Sequence, residues 1–274
     1  MVGSRGSNNE VVVDALKGKG FDVDYDESAK IPSLRRIGRA DVIYGAYLQT
    51  CSRYVAAAQI LGKKTIIHFV GSDAYRYARE KGLRRLFWAS VVRACGLIFY
   101  VSPHLSTLVG KPGATLPFPI RIERFRKPAK LRHERDTLYY CPSGAGNARI
   151  YRLDWILDYA RQHPEEKITI IGNTAHPADY SVNVPNVEVV PFVEYDRMTD
   201  IYARHRRLIR MTTEDGRPRM VDEAILSGLQ VIFNDKRIQE VPPERDPTVF
   251  AKRFEQELLK ILWPSESCSR NWQF

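Results

Sequence analysis

Residues 212–231 read Thr-Thr-Glu-Asp-Gly-Arg-Pro-Arg-Met-Val-Asp-Glu-Ala-Ile-Leu-Ser-Gly-Leu-Gln-Val. An apolar strand is predicted just before this stretch, over residues 208–211, and another begins at Val231. Pro218 suits the first turn of the intervening helix because its missing N–H would have no partner there. Gly228 suits the position just past the helix end. The stretch therefore predicts a strand–loop–helix–strand unit of an α/β protein.

Two carboxylates mark this unit. Asp215 lies in the loop, and Glu223 follows eight positions later in the predicted helix. A helix N-terminus presents free N–H groups and the positive end of its dipole to an anion. Carboxylates accept hydrogen bonds from sugar hydroxyls, so the unit offers partners for both a sugar and a diphosphate. The alternative is an ordinary surface unit with two solvated acids.

The unit resembles the E-x7-E motif of GT-B glycosyltransferases of the retaining GT4-like type, with Asp215 as a shortened first acid. Other stretches resemble the same family in the same order along nearly the whole chain: residues 68–73, 101–103, 117–120 and 170–172. The resemblance implies an α/β fold of two Rossmann-like domains facing a cleft, the GT-B arrangement. It also implies a hexosyltransferase-type enzyme that uses a nucleotide-sugar, with retention, without a metal and with no further cofactor.

The composition is that of a soluble globular protein. The chain has 274 residues, of which 44% are hydrophobic and 27% charged, so one or two domains are expected. No apolar run reaches the length of a membrane-spanning helix, and the N-terminus lacks a signal-peptide pattern. The four cysteines form no C-x-x-C pair, which argues against a zinc site and a disulfide framework. A cytoplasmic location is therefore predicted.

The positive charge lies in the first half of the chain. Residues 1–135 hold 24 Lys and Arg against 11 Asp and Glu, a net charge of +13, whereas residues 136–274 hold 18 against 21, a net charge of −3. A basic half indicates an acidic partner, such as anionic lipid, a phosphorylated acceptor or nucleic acid. Nucleic acid is the less favoured of these partners.

Alternating strand and helix patterns predict the domain boundaries. Residues 1–120 form an N-terminal acceptor domain, whose first strand is nearly missing because only Met1 and Val2 precede Gly3. A basic linker is predicted over residues 121–135, and the donor domain over residues 136–262 ends in a helix over residues 249–262. Residues 21–25 alternate like a short strand. Residues 263–274 are expected to form a tail.

In the N-terminal domain, candidate residues lie in loops that follow strands, where open α/β sheets bind ligands. A glycine loop is predicted to face the acceptor together with one later acid: Gly3, Ser4, Arg5, Gly6 and Asp73. Asp73 suits equally well as the cap of the next helix. By resemblance, His68 and Asp215 are the catalytic candidates, with His68 contacting the donor sugar. A purely structural histidine is the alternative.

A basic, aromatic stretch follows Asp73. Its arginines and aromatic residues suit an anionic membrane surface, and GT-B enzymes with lipid-linked acceptors resemble it in this respect. The residues predicted to meet the membrane are Arg76, Arg79, Lys81, Arg84, Arg85 and Trp88. The pattern also fits single-stranded nucleic acid, or a helix with a buried apolar face and a solvated basic face.

The donor domain departs from the family in its first loop. The resemblance implies an Arg just after the loop glycine and a Lys five residues on, but Gly144 and Ala145 stand near the first position. Arg149 is the candidate for the diphosphate cation, with Arg152 one turn later. The full set of predicted donor-binding residues is Arg149, Arg152, Gly172, Gly216, Arg217, Met220, Val221 and Glu223.

Two other functions remain open. The missing loop arginine suits a GT-B-like protein that binds a nucleotide or polyanion without catalysis. The basic first half suits a nucleic-acid-binding protein, for which affinity should fall steeply with salt. The principal prediction is sugar transfer to an acceptor that the sequence does not identify: a lipid-linked molecule, a glycan or a protein.

Overall fold

The computed structural model describes residues 1, 7–26, 31–126, 133–144, 146–172, 182–190 and 192–263. It divides into two compact units. The first comprises Met1–Ile120 together with Pro242–Phe274, and the second is Arg121–Val241. Each unit has its own sheet and its own apolar core.

The first unit alternates helices and strands. Up to residue 120 its elements are α1 (Ser7–Gly18), α2 (Leu34–Arg39), β1 (Val42–Ala46), α3 (Leu48–Ile60), β2 (Lys64–Phe69), α4 (Ser72–Arg79), α5 (Gly82–Ala94), β3 (Leu97–Tyr100), α6 (His104–Val109) and β4 (Ala114–Thr115). Among the described residues the four strands are parallel, in the order β1-β2-β3-β4. The apolar run of β2 is buried on both faces, as parallel strands covered by helices are.

The second unit contains the quoted stretch. Its elements are α7 (Ile122–Arg126), β5 (Arg135–Tyr140), α8 (Asn147–Ile150), α9 (Leu153–Gln162), β6 (Ile168–Ile171), β7 (Val187–Val190), α10 (Met198–Arg204), β8 (His205–Arg210), α11 (Arg219–Leu226), β9 (Gln230–Phe233) and β10 (Lys236–Ile238). In the described part of the chain the strand order is β10-β9-β8-β5-β6-β7, and only β10 pairs antiparallel.

The terminal helix differs from its predicted place. α12 (Pro247–Leu262) belongs to the first unit, where Phe250, Ala251, Phe254 and Leu258 join the core around β1 and β3. The helix thus buries its apolar side on the sheet of the N-terminal half, although sequence proximity suggested the second domain. A helix pattern identifies an apolar side but does not identify the surface on which that side packs.

Two other predictions about the first half and the linker are wrong. Residues 21–25 form no strand. The Asp26 N–H donates to the Met1 carbonyl, which is a single β-bridge rather than a strand. Residues 122–126 of the predicted linker form α7, whose Phe125 is fully buried in the core of the second unit. The basic residues around Phe125 concealed this short amphipathic helix, because only two of its five side chains are buried.

Candidate functional site

The second unit has a topological switch point between β5 and β8. From β5 the chain proceeds to β6 and β7 on one side, whereas β8 leads to β9 on the other side. Tyr139 pairs with Ile209 in the parallel register, so Tyr140 and Arg210 end neighbouring strands. Ligands of open α/β sheets bind outside the carboxyl ends of the strands at such a point.

Arg210 is the charged side chain at this switch point. It is 3% exposed, and its Nη2 donates to Asp215 Oδ2 at 2.8 Å. Its guanidinium carbon lies 4.0 Å from the ring centre of Tyr140 and 4.6 Å from that of Tyr151. Burial opposes the charge, but Asp215 and the two tyrosines raise the pKa of Arg210 above its ordinary value. Arg210 therefore remains a cation in a largely dry environment.

Glu223 lies in α11 and is 3% exposed. Its Oε1 accepts from the Tyr195 hydroxyl and its Oε2 from the Tyr202 hydroxyl, each at 3.1 Å. Burial and the nearby Glu223 carboxylate raise the pKa values of both tyrosines, so both hydroxyls remain protonated donors. Each carboxylate oxygen retains a further lone pair with which to accept another hydrogen bond.

Other predicted residues on α11 and its loop have partners inside the second unit. Pro218 occupies the N-cap position without a side-chain hydrogen bond, and the helix begins one residue later than predicted, at Arg219. Arg217 bonds to the fully buried Asp222 at 2.6 Å and to the Glu240 carbonyl. Arg217 thus compensates a buried charge, which the sequence pattern did not indicate.

Three apolar or backbone positions predicted to bind the donor are largely inside the fold. Val221 is 0% exposed and belongs to the core, so its side chain offers no surface to a ligand in this conformation. Met220 is half-buried against the same core, and Gly216 is buried in the loop. A ligand would therefore contact these three positions through their backbone groups.

The loop after β5 supplies further polar groups. Ser143 is 7% exposed, and Gly144 has a φ of +128°, a backbone conformation that side chains with a Cβ rarely adopt. Arg149 is exposed in α8, and Arg152 lies between α8 and α9 with a left-handed φ of +47°. Of the two arginines predicted for the diphosphate, Arg149 is thus on the short helix that follows this loop and Arg152 is at the start of the next helix.

Gly172 follows β6, and its N–H donates to the Val190 carbonyl at 3.0 Å. Its amide therefore extends the pairing of β6 with β7. The predicted acceptor loop, Gly3, Ser4, Arg5 and Gly6, lies outside the described residues.

His68 is inside the first unit and has no exposed surface. Its Nε2 lies 2.8 Å from the Leu116 carbonyl, which can only accept, so Nε2 carries the proton. Its Nδ1 then accepts from the Tyr44 hydroxyl at 2.7 Å. Both ring nitrogens are occupied, so the structure does not favour the predicted contact of His68 with a sugar and instead gives it a structural role.

Acid should destabilise the first unit through His68. Burial lowers its pKa to about 3 from an ordinary value of 6.5, so the stabilisation is complete above pH 6.5 and is lost as pH falls toward 3. Between pH 6.5 and 5 the loss should be about 2 kcal/mol. Urea unfolding of the parent and of His68→Gln at both pH values measures it, and equal pH dependence in the two proteins would contradict the assignment.

Asp73 also has a structural environment. It is 0% exposed, and its Oδ2 accepts from Leu48 N while its Oδ1 accepts from Val70 N and Gly71 N, at 2.8–3.1 Å. Burial raises the pKa of Asp73, against the effect of these hydrogen bonds. Asp73 is the second residue of α4, whose N-cap is Gly71, so it is not the N-cap itself. Its carboxylate instead connects the starts of α3 and α4, which is a structural role rather than acceptor binding.

The predicted membrane stretch forms two helices, α4 and α5, which are separated by Glu80 and Lys81. α5 begins at Gly82, whose φ is +67°. Trp88 is 5% exposed and packs in the core, so its predicted membrane contact is wrong. Arg85 lies over the Tyr77 ring at 3.8 Å and donates to the Tyr77 carbonyl. The large apolar residues that α5 does expose are Leu83, Leu86 and Phe87.

Within the described ranges, no group of three or more His, Cys, Asp or Glu side chains is placed to hold a metal ion.

Of the comparisons with known proteins, the one with solved structures identifies the fold. No protein-family model matches the sequence, and a search of curated proteins finds no match. Among solved structures, Anabaena HepE in complex with UDP has a TM-score of 0.61 at 11% identity, with 94% of this chain and 89% of that chain covered. AviGT4, a glycosyltransferase involved in avilamycin A biosynthesis, has a TM-score of 0.60 at 14% identity, covering 96% and 92%.

A third similar structure is an α-glucosyltransferase in complex with UDP and a 13-mer DNA. Its TM-score is 0.58 at 10% identity, with 97% of this chain and 90% of that chain covered. At these identities, the similarity shows the fold. The predicted α/β class and the resemblance to GT-B glycosyltransferases are confirmed. The GT4-like type and retention stay predictions.

Sequence reasoning missed several residues of the site. Arg210 ends a strand that was interpreted only as apolar, and Tyr195 and Tyr202 lie in residues 195–202, where the sequence pattern indicates only the beginning of a helix. A charged residue at the end of a buried strand was the available signal for Arg210, since such residues are rarely buried without a partner.

Proposed function

We propose that the protein is a glycosyltransferase that moves a sugar from a nucleotide-sugar to an acceptor. The observation that carries the proposal is the arrangement in the second unit, where Asp215 is paired with buried Arg210 and Glu223 is buried eight positions later. These groups lie on the loop and helix that follow β8, beside the switch point. Two of the similar structures contain UDP, which supports a nucleotide as the ligand.

Each carboxylate takes a separate part of the donor in this proposal. Glu223 accepts from the ribose hydroxyls, and Asp215 accepts from hydroxyls of the sugar. The start of α11, which is the positive end of its helix dipole, faces the leaving diphosphate and stabilises its developing charge. Arg149 and Arg152, on the segment after β5, are the other cations proposed for the donor. Retention, independence from metal and a cytoplasmic location are part of the same proposal.

Calorimetric titration with UDP, GDP, ADP and their common sugar conjugates tests this function. We expect saturable binding of one nucleotide class, followed by transfer or slow hydrolysis of its sugar conjugate. Binding with neither transfer nor hydrolysis would indicate the non-catalytic alternative. No binding of any nucleotide to the folded protein would contradict the proposal.

We also propose that α5 attaches the first unit to an anionic membrane surface, where a lipid-linked acceptor would be reached. Leu83 and Leu86 are 85% and 67% exposed, and Phe87 beside them is 39% exposed. Arg84 and Lys81 lie on the same exposed segment. Apolar side chains that enter the interface, flanked by cations that meet lipid phosphates, are typical of peripheral helices. In the described residues no helix is long and apolar enough to span a bilayer.

Replacing both Leu83 and Leu86 by Ser should weaken binding to phosphatidylglycerol vesicles by about a hundredfold or more, because each of the two apolar side chains contributes ~1.5–3 kcal/mol when it is buried in the interface. Vesicle sedimentation measures the change. Ile60→Ser is the matched control, since Ile60 is also 85% exposed but lies on α3. Equal binding by the double variant and the parent would exclude this surface.

A further inference from the structure

Arg210 has hydrogen-bonding groups that the fold leaves unused. Its Nε and Nη1 are buried and have no hydrogen-bond partner among the described residues, while Nη2 alone bonds to Asp215. Leaving a buried charged donor unsatisfied costs more than leaving a neutral one, so such groups require an explanation. The rings of Tyr140 and Tyr151 flank the guanidinium and the Tyr151 hydroxyl also interacts with Arg210, yet Nε and Nη1 still have no hydrogen-bond partner among the described residues.

A second unused group lies on the loop that follows the neighbouring strand. Ser143 Oγ is buried and has no partner within the described part of the chain. Ser143 comes three positions after Tyr140, the residue whose ring lies against Arg210. The carboxyl ends of β5 and β8 therefore carry an orphan hydroxyl and two orphan guanidinium nitrogens at the switch point.

We propose that Arg210 and Ser143 together bind the diphosphate of the donor, with Arg210 in place of the loop arginine that this chain lacks. This inference rests on the proposed function. A diphosphate suits the two groups because its oxygens accept hydrogen bonds, and a guanidinium fork matches two of them at once. The cation comes from the end of β8 rather than from the loop after β5, on which Gly144 lies.

The alternative is that Arg210 only holds Asp215 in place. The two roles predict opposite effects of removing Asp215. Because Asp215 partly neutralises Arg210 and repels an anion, Asp215→Asn should strengthen diphosphate binding if Arg210 is the anion's partner. If Arg210 only positions Asp215, diphosphate affinity should be unchanged in both Arg210→Gln and Asp215→Asn, or should change in the same direction in both.

The experiment titrates inorganic pyrophosphate, UDP and uridine into the full chain and into four variants by calorimetry. Arg210→Gln should lower the affinity for pyrophosphate and for UDP by about tenfold to a hundredfold, which corresponds to the loss of charged hydrogen bonds. Any uridine binding should be unchanged. Asp215→Asn should raise the affinity for pyrophosphate. Arg206→Gln is the matched control, because Arg206 is on the same strand with a side chain that is 65% exposed. This variant should bind pyrophosphate and UDP as tightly as the parent does.

Ser143→Ala keeps the test valid if Arg210→Gln fails to fold. It removes a buried hydroxyl without a partner, so the melting temperature should not fall, while pyrophosphate affinity should fall several-fold. Unchanged pyrophosphate and UDP affinity in both Ser143→Ala and folded Arg210→Gln would overturn the inference and leave the proposed function standing. Pyrophosphate binding that depends on Arg210, with no nucleotide bound, would instead reject the proposed function and retain the anion site.

Discussion

Replacing Glu223 by Gln should lower nucleotide affinity by about tenfold to a hundredfold, because one ribose hydroxyl loses its acceptor and a hydrogen bond to a charged group contributes ~1.5–3 kcal/mol. Glutamine keeps the volume of the side chain and one acceptor oxygen, so the local packing against Tyr195 and Tyr202 is preserved. Calorimetry with whichever nucleotide the parent binds measures the change. A matching loss for the nucleoside would assign the effect to the ribose.

Tyr202→Phe is the matched control. It removes the hydroxyl that donates to Glu223 Oε2 and leaves the carboxylate in place, so nucleotide affinity should change by less than about fivefold. If the Gln variant folds, melts at a lower temperature and binds the nucleotide as tightly as the parent, Glu223 serves the fold alone. That result would remove the ribose contact from the proposed site.

Replacing Asp73 by Ala should destabilise the protein by ~3–5 kcal/mol. The carboxylate accepts from three backbone N–H groups, the buried ones of Leu48 and Gly71 and the partly buried one of Val70, and alanine leaves all three without this acceptor. Each buried unsatisfied donor costs ~1–3 kcal/mol, part of which water entering the vacated space recovers. Urea unfolding, monitored by circular dichroism, measures the loss.

Asp246→Ala provides the comparison for Asp73. Asp246 caps α12 and accepts from Thr248 N and Val249 N, but these bonds are exposed to solvent. Its removal should cost only ~1 kcal/mol, because water replaces the cap. If Asp73→Ala were no more destabilising than Asp246→Ala and yet reduced sugar transfer, the original acceptor-side prediction for Asp73 would regain support.

The predictable part of the site was its location along the chain. The loop with Asp215 and the helix with Glu223 were found because proline and glycine mark helix ends and the apolar residues repeat with helical spacing. The cation beside them was not found. Arg149 was chosen for its position in the sequence and is exposed, whereas Arg210 lies against Tyr140 and Tyr151 from other segments.

The sequence by itself determined the α/β class, the alternation of strands and helices, and the unit around residues 212–231, because these depend on local spacing and turn residues. Only the tertiary structure decided which polar groups are occupied. His68 is bonded to Tyr44 and Leu116, and Arg217 is bonded to the buried Asp222. Burial and pairing depend on neighbours that the fold brings together from distant positions, as His68 and Leu116 are, and no local pattern encodes those neighbours.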